Sequence, residues 1–267
     1  MEYSEYFQRF PDAYAKIIAG LDRVNTLYAY LIDSGILEDA TTLLSLGSGT
    51  GEVEVRIARQ TRRRIGVVEP SKIYFDTFLQ NAAAAGVEDL LLETHQQSFE
   101  AFQPQQPYDV VLSLFSWFAF EFDRAALLKA LACRKPAGKL LICLPTADCP
   151  ASRISAFSRS AGINLTSDLL SAWARDEGFE HDYDIYHGVV PAELYVQQGE
   201  LTQQGEDLAA FLAATPWEEM PEEMRHASLA AIQSGQCGDQ IDHASGCLIF
   251  DGAKHAVSDQ SRRATNR

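Results

Sequence analysis

Apolar and polar positions alternate along the chain in a way that separates short apolar runs from stretches of helical period. Before residue 34, aromatic and apolar residues recur at helical spacing: Tyr3, Tyr6, Phe7 and Phe10, then Tyr14, Ile17, Ile18 and Leu21, then Val24, Leu27, Tyr28 and Leu31. This predicts helices that cover a sheet. A first strand is expected over Thr41–Leu46, a helix from the following turn to about Gln60, and a second strand over Arg64–Glu69. Pro70 and Ser71 should open a helix that reaches Ala85 and stops at Gly86. Leu90–Thr94 reads as a third strand, Asp109–Leu114 as a fourth, Arg124–Cys133 as a helix, and Lys139–Leu144 as a fifth strand after a Pro-Ala-Gly turn. Past Pro145 the pattern loosens. It still predicts a helix over Ser167–Glu177, a strand over Glu180–Tyr186, helices near Glu206–Ala214 and Pro221–Ile232, and a last strand over Ser245–Phe250. Strands that alternate with helices imply an α/β protein with a doubly wound, largely parallel sheet of seven strands.

Composition narrows the class. At 267 residues the chain can bury a substantial core, and no internal repeat or second core is evident. No run approaches the ~20 apolar residues of a membrane span. The most apolar stretch, Asp109–Phe120, is broken by Ser113 and Ser116, and Glu2 and Glu5 stand where a secretory signal would place positive charge, so a cytoplasmic protein without a membrane partner is expected. Five cysteines, without C-x-x-C spacing, suggest neither a disulfide framework nor a zinc site. Net charge is −15, and the tail after Asp251 holds four basic residues against one acid, so the body is more negative still. Such a surface repels nucleic acid, which is not expected as a partner.

The candidate chemistry begins at residues 43–52, Leu-Leu-Ser-Leu-Gly-Ser-Gly-Thr-Gly-Glu, an apolar strand running into three alternate glycines. Gly47, Gly49 and Gly51, with Ser48 between them, would let the backbone turn sharply and approach a ligand where a Cβ would collide. Glu69, with Pro70 and Ser71 beside it, ends the second strand and is placed to accept from both hydroxyls of a ribose. A dinucleotide fingerprint would need a glycine where Glu52 stands, and that carboxylate would oppose a pyrophosphate at the helix N-terminus. Ligands of open α/β sheets lie beyond the carboxyl ends of the strands, so later segments should converge on the same place. Gln97, Ser98 and Phe99 follow the third strand. Leu114-Phe115-Ser116-Trp117-Phe118-Ala119-Phe120 follows the fourth as an aromatic cluster.

The G-x-G-x-G loop closed by an acid resembles that of the class I S-adenosylmethionine methyltransferases. The resemblance implies a Rossmann-like fold, S-adenosylmethionine as cofactor, and contacts from Gly47, Ser48, Gly49, Gly51, Glu69, Pro70, Ser71, Gln97, Ser98, Phe99 and Leu114. Leu-Phe-Ser-Trp after the fourth strand does not match the Asn/Asp-Pro-Pro-Tyr/Phe of enzymes acting on adenine or glutamine amides, and no Pro-Cys of the cytosine type is present. His181, Asp182, Asp184 and His187 alternate as a polar strand face, and no metal is expected. Beyond the superfamily, the chain resembles the histamine N-methyltransferases. They likewise have Ser in the first strand (Ser45), a loop closed by Gly-Glu, Val-Val-Glu-Pro-Ser at 67–71, an N-terminal Tyr-x-Glu-x-Phe-x-Arg-Phe at 3–10 and a Thr-Ser-Asp start at 166–168. This implies methyl transfer to nitrogen of a small amine or imidazole, with Tyr3 and Phe7 facing the acceptor; Phe115 and Phe118 of the aromatic cluster, Trp217 and His243 are expected to line the acceptor side with them. Lys16, Phe115 and His243 stand where that family has Glu, Gln and Asn, so the resemblance carries the reaction type and not histamine itself. His243, expected just before the last strand, could orient an acceptor N–H or take its proton, or be a surface histidine. O-methylation of a small metabolite and a silent cofactor-binding module are the alternatives. Residues 1–252 are expected as one domain, with 1–33 as a helical cover, 41–145 as the cofactor core, 188–240 as an acceptor-side insertion and 253–267 as a frayed tail.

Overall fold

The computed structural model describes residues 23–119, 123–158 and 165–253. Among the described residues the chain divides into two compact units, the larger drawn from Tyr28–Leu144, Ser171–Asp184 and the stretch that begins at Cys247, the smaller from the stretch that ends at Leu27, Pro145–Leu170 and Ile185–Gly246. Helix α1 (Arg23–Asp33) leads to β1 (Thr42–Leu46), α2 (Glu52–Thr61), β2 (Arg64–Val68), α3 (Lys72–Ala85), β3 (Leu91–His95), β4 (Tyr108–Leu114), α4 (Arg124–Ala132) and β5 (Arg134–Pro145). Then follow α5 (Pro150–Ser158), α6 (Ser167–Asp176), β6 (Asp182–Pro191), the short pair β7 (Val196–Gln197) and β8 (Glu200–Leu201), α7 (Gln203–Leu212), α8 (Glu222–Ser234), β9 (Gln236–Cys237) and β10 (Gln240–Asp251).

The main sheet runs β3-β2-β1-β4-β5-β10-β6, seven strands in path, with β9 paired to β10 as an eighth. β1 pairs in parallel with β2 and β4, β2 with β3, and β4 with β5. Strand order therefore reverses at β1, the switch point at which open α/β sheets take ligands. β1 sits between two parallel neighbours, and Leu43, Leu44, Ser45 and Leu46 are all buried, as the near-continuous apolar run requires. Local chemistry sets the ends of the flanking helices. Ser71 Oγ accepts from Tyr74 N–H at the start of α3, and Gly86 closes that helix in the left-handed region.

The structure departs from the sequence pattern in β5, β6, β10 and α5. β5 begins at Arg134, and Pro-Ala-Gly lies inside it: two residue steps on β4, Tyr108 to Val110, face five on β5, Arg134 to Lys139. A bulge absorbs the extra residues, so the missing proline N–H leaves the ladder intact. β10 starts at Gln240 and β6 runs on to Pro191, each longer than the apolar alternation alone shows. α5 was not legible, because Pro150-Ala-Ser-Arg lacks apolar period and its helix is held by packing. In the smaller unit Ile154 of α5 joins Val190, Tyr195, Leu208, Met220, Ile232 and Ile241 in a buried cluster.

Candidate functional site

The parallel strands put the carboxyl ends of β1, β2, β3 and β4 along one edge of the larger unit. Gly47, Glu69, Gln97 and Phe115 follow those ends in turn. Gly47, Gly49 and Gly51 have φ of 71°, 57° and 73°, all left-handed, which only glycine adopts without strain. Gly47 N–H donates to Val68 O (2.7 Å) and Gly51 N–H to Ser48 O (3.1 Å), so the loop folds back on the end of β2. A Cβ on Gly51 would lie 2.2 Å from the Phe78 ring of α3. Asn81 of α3 donates to Thr50 O at 2.8 Å and pins the loop from the same side.

Glu69 stands just past the end of β2 and is buried. Gly49 N–H donates to its Oε2 and Ser71 N–H to its Oε1, both at 2.8 Å. Burial raises its pKa, while those two N–H groups work in the opposite direction. An ionised carboxylate has about four acceptor sites, so two remain for hydroxyl donors on a ligand. The carboxylate is thereby aimed by the loop it serves. Ser48 Oγ is buried in the same loop and has no hydrogen-bond partner among the described residues. Buried hydroxyls are normally paired, and this one suits a ligand polar atom. At the start of α2, Glu52 accepts from Thr50 Oγ1 at 2.6 Å, so the helix N-terminus is already met by negative charge.

Buried polar side chains complete this end of β1. Ser45 Oγ donates to Glu54 Oε1 of α2 at 2.7 Å, and both side chains are buried. Burial pushes the Glu54 carboxyl up to about 7, against the opposing effect of the Ser45 hydroxyl and its own backbone N–H and with a smaller push from Glu52 and Glu69. Ser116 Oγ donates to Leu46 O at 2.6 Å and meets Ser113 Oγ at 2.7 Å, tying the segment after β4 to the end of β1. Ser113 and Ser116 interrupt the apolar run 109–120, Ser45 carries the family resemblance, and the sequence alone gives no signal that Glu54 is its partner.

Of the other expected residues, Phe99 is buried against Trp117, with ring centroids 6.4 Å apart. Ser98 Oγ accepts from Ala101 N–H at 3.4 Å, and Gln97 and Leu114 are half-buried. Phe115 adopts φ of 57°, a left-handed conformation unusual for a bulky side chain, while its N–H donates to Cys143 O at 2.9 Å. Phe118 is 40% exposed. Among the described residues of the aromatic segment, Trp117 is a core ring, and Phe115 and Phe118 are left partly open. Trp217 and His243 belong to the smaller unit. His243 lies inside β10 and not before it, and it is buried, so the surface reading is corrected: its ring faces Tyr195 edge-on at 6.1 Å. Tyr3 and Phe7 lie outside the described residues. His181 meets Ser171 and Phe179 O, and His187 meets Asp242 at 2.8 Å. Among the described residues no helix is long and apolar enough to cross a membrane.

Comparison with known proteins adds a family. A methyltransferase domain matches residues 13–187, more than half of the chain. A tRNA1(Val) (adenine(37)-N6)-methyltransferase from Pseudoalteromonas translucida is 37% identical over 78 residues, 29% of this chain and 33% of that protein, so the chain spans about a third of the curated relative it matches. Among solved structures, a SAM-dependent methyltransferase from Thiobacillus denitrificans in complex with S-adenosyl-L-homocysteine superposes with a TM-score of 0.51 at 20% identity, over 85% of this chain and 90% of that one. Coclaurine N-methyltransferase bound to N-methylheliamine and SAH gives 0.56 at 11% identity, over 85% and 72%. At these identities the structures show a shared fold.

Proposed function

Since this chain belongs to the methyltransferase-domain family, we propose that it binds S-adenosylmethionine at the glycine loop and transfers the methyl group to a nitrogen of a small amine or imidazole. The observation that carries the cofactor is Glu69, buried beside the loop and oriented by Gly49 and Ser71 N–H with two acceptor sites left for ribose hydroxyls. The orphan Ser48 hydroxyl and the three left-handed glycines fit the same ligand. Glu52 at the start of α2 disfavours the pyrophosphate of a dinucleotide.

When bound, S-adenosylmethionine supplies a methyl group already activated by its sulfonium. The chain's own task is then to orient, which can supply up to ~7–11 kcal/mol, and to exclude water. Phe115 and Phe118 offer ring faces suited to a cationic centre. An apolar surround also lowers an ammonium pKa, which keeps an amine acceptor neutral. The strained φ of Phe115 supports this role, because such conformations persist where surrounding structure demands them and gather at functional sites. For Tyr3 and Phe7 an acceptor role rests on the resemblance to the histamine N-methyltransferases, and for His243 on standing where that family has Asn, with its burial beside Tyr195 added; Trp217 is proposed with them as a further aromatic contact. Net charge of −15 favours a small acceptor over RNA.

Calorimetry with S-adenosylmethionine, S-adenosylhomocysteine and NAD tests the cofactor: tight binding of the first two is expected, and binding of NAD alone would overturn it. A metabolite screen with labelled methyl donor, followed by mass spectrometry of the product, tests the acceptor. A product methylated on oxygen would overturn the nitrogen assignment.

A further inference from the structure

The first strand lacks an acid of its own, and α2 supplies one from the other side of the glycine loop. Ser45 is two residues before Gly47 and Glu54 three after Gly51, so the 2.7 Å bond between these buried side chains ties together the two elements that flank the loop. The charges acting on Glu54 from neighbouring side chains are both negative, Glu52 from its own helix and Glu69 from the end of β2. Arg56, further along α2, stands over the Tyr28 ring at 4.6 Å, and α3 faces the loop with Phe78 and Asn81. A carboxyl held in this way resists ionisation. The buried Ser48 hydroxyl, with no partner among the described residues, is a second sign that a ligand completes the loop.

We propose that Glu54 is the proton-linked electrostatic partner of the bound donor, giving up its proton to solvent when a net cationic ligand enters the loop, so that donor binding and carboxylate formation are one event. The proposal rests on the cofactor reading above. S-Adenosylmethionine carries a sulfonium and an ammonium against one carboxylate, and thus brings the positive charge that the three acids lack. In the step, the O–H bond of the Glu54 carboxylic acid breaks, the proton passes to buffer, and the electron pair stays on the carboxylate, which keeps the Ser45 hydrogen bond. Burial pushes the Glu54 carboxyl up to about 7, so part of it is protonated at neutral pH and affinity should rise with pH through that range.

The test is calorimetry of the full chain with S-adenosylmethionine at pH 7 in two buffers of different ionisation enthalpy, and then across pH 6 to 7, where the ligand's amino group stays largely protonated. A fraction of a proton should be released at pH 7, and affinity should strengthen several-fold between the two ends of the range. Glu54→Gln keeps the size and the bond to Ser45, and should abolish both the release and the pH dependence. Binding without proton release in the wild-type protein would overturn this proposal alone. Absence of any binding would overturn the cofactor reading and this proposal with it. The wild-type measurement stands even if the variant does not fold.

Discussion

Glu69 shows how much a single side chain can depend on its neighbours. It is buried, held by two backbone N–H groups and raised in pKa by its burial, so its use to the protein lies in what it binds. Glu69→Ala is expected to weaken S-adenosylmethionine by at least the ~1.5–3 kcal/mol of hydrogen bonds to a charged group, read by calorimetry. Glu69→Gln should recover part of that loss, since its amide oxygen still accepts. Phe115 gives a test with an inverted order. Glycine ordinarily costs stability relative to alanine, but at a φ of 57° the preference reverses. Phe115→Gly should therefore be more stable than Phe115→Ala in urea denaturation, by roughly 1 kcal/mol. Both should lose turnover if the ring faces the acceptor.

At the scale of elements, the helices are bounded by side chains whose effects can be separated from the site. Asp123 accepts from Ala126 N–H at 2.7 Å and caps α4. Asp123→Ala should cost about 1 kcal/mol of stability, measured by denaturant unfolding, with cofactor affinity unchanged. Gly51 is the opposite case, in which a loop and two helices share one position. A Cβ there meets the Phe78 ring at 2.2 Å, at a φ of 73°. Gly51→Ala should lower both Tm and cofactor affinity. Adding Phe78→Ala relieves the clash and leaves the backbone strain, so the double variant should regain only part of either.

For the whole molecule the sign of the pH dependence follows from the buried carboxyls. Glu54 has its usual range near 4.5 in the unfolded chain and about 7 in the folded one, so the stability it lends is full below pH 4.5 and is lost as pH rises through 7. Glu69 is shifted in the same direction. Asp109 acts oppositely. Burial would raise it, but Lys135 and the hydroxyl and N–H donors of Thr41 and Thr42 outweigh that and hold it well below the carboxylate range, so its contribution is present above about pH 4 and lost in stronger acid. The ligand-free protein should thus be less stable at pH 7.5 than at pH 5, and Glu54→Gln should flatten that slope, as urea titrations across pH would record. A net charge of −15 adds self-repulsion in the same direction. The same charge predicts no retention of tRNA in a filter-binding assay at low salt, whereas salt-sensitive binding would favour a nucleic acid acceptor.

The sequence by itself determined the order of strands and helices in the cofactor half, the glycine loop and the position of Glu69. These are set locally: apolar period decides strand or helix, and a left-handed turn requires glycine at 47, 49 and 51. Ser71 and Gly86 were legible as helix bounds for the same reason. Tertiary structure alone decided the rest. That Ser45 and Glu54 share a hydrogen bond, that Ser116 ties its segment to Leu46, and that Trp117 is core while Phe118 is open depend on which faces meet, and pairing across strands is invisible in periodicity. His243 shows the limit most plainly. Between Asp242 and Ala244 it reads as a surface residue, yet β10 extends past it and buries its ring beside Tyr195, because a strand's length is set by the backbone partners it finds and not by its own alternation.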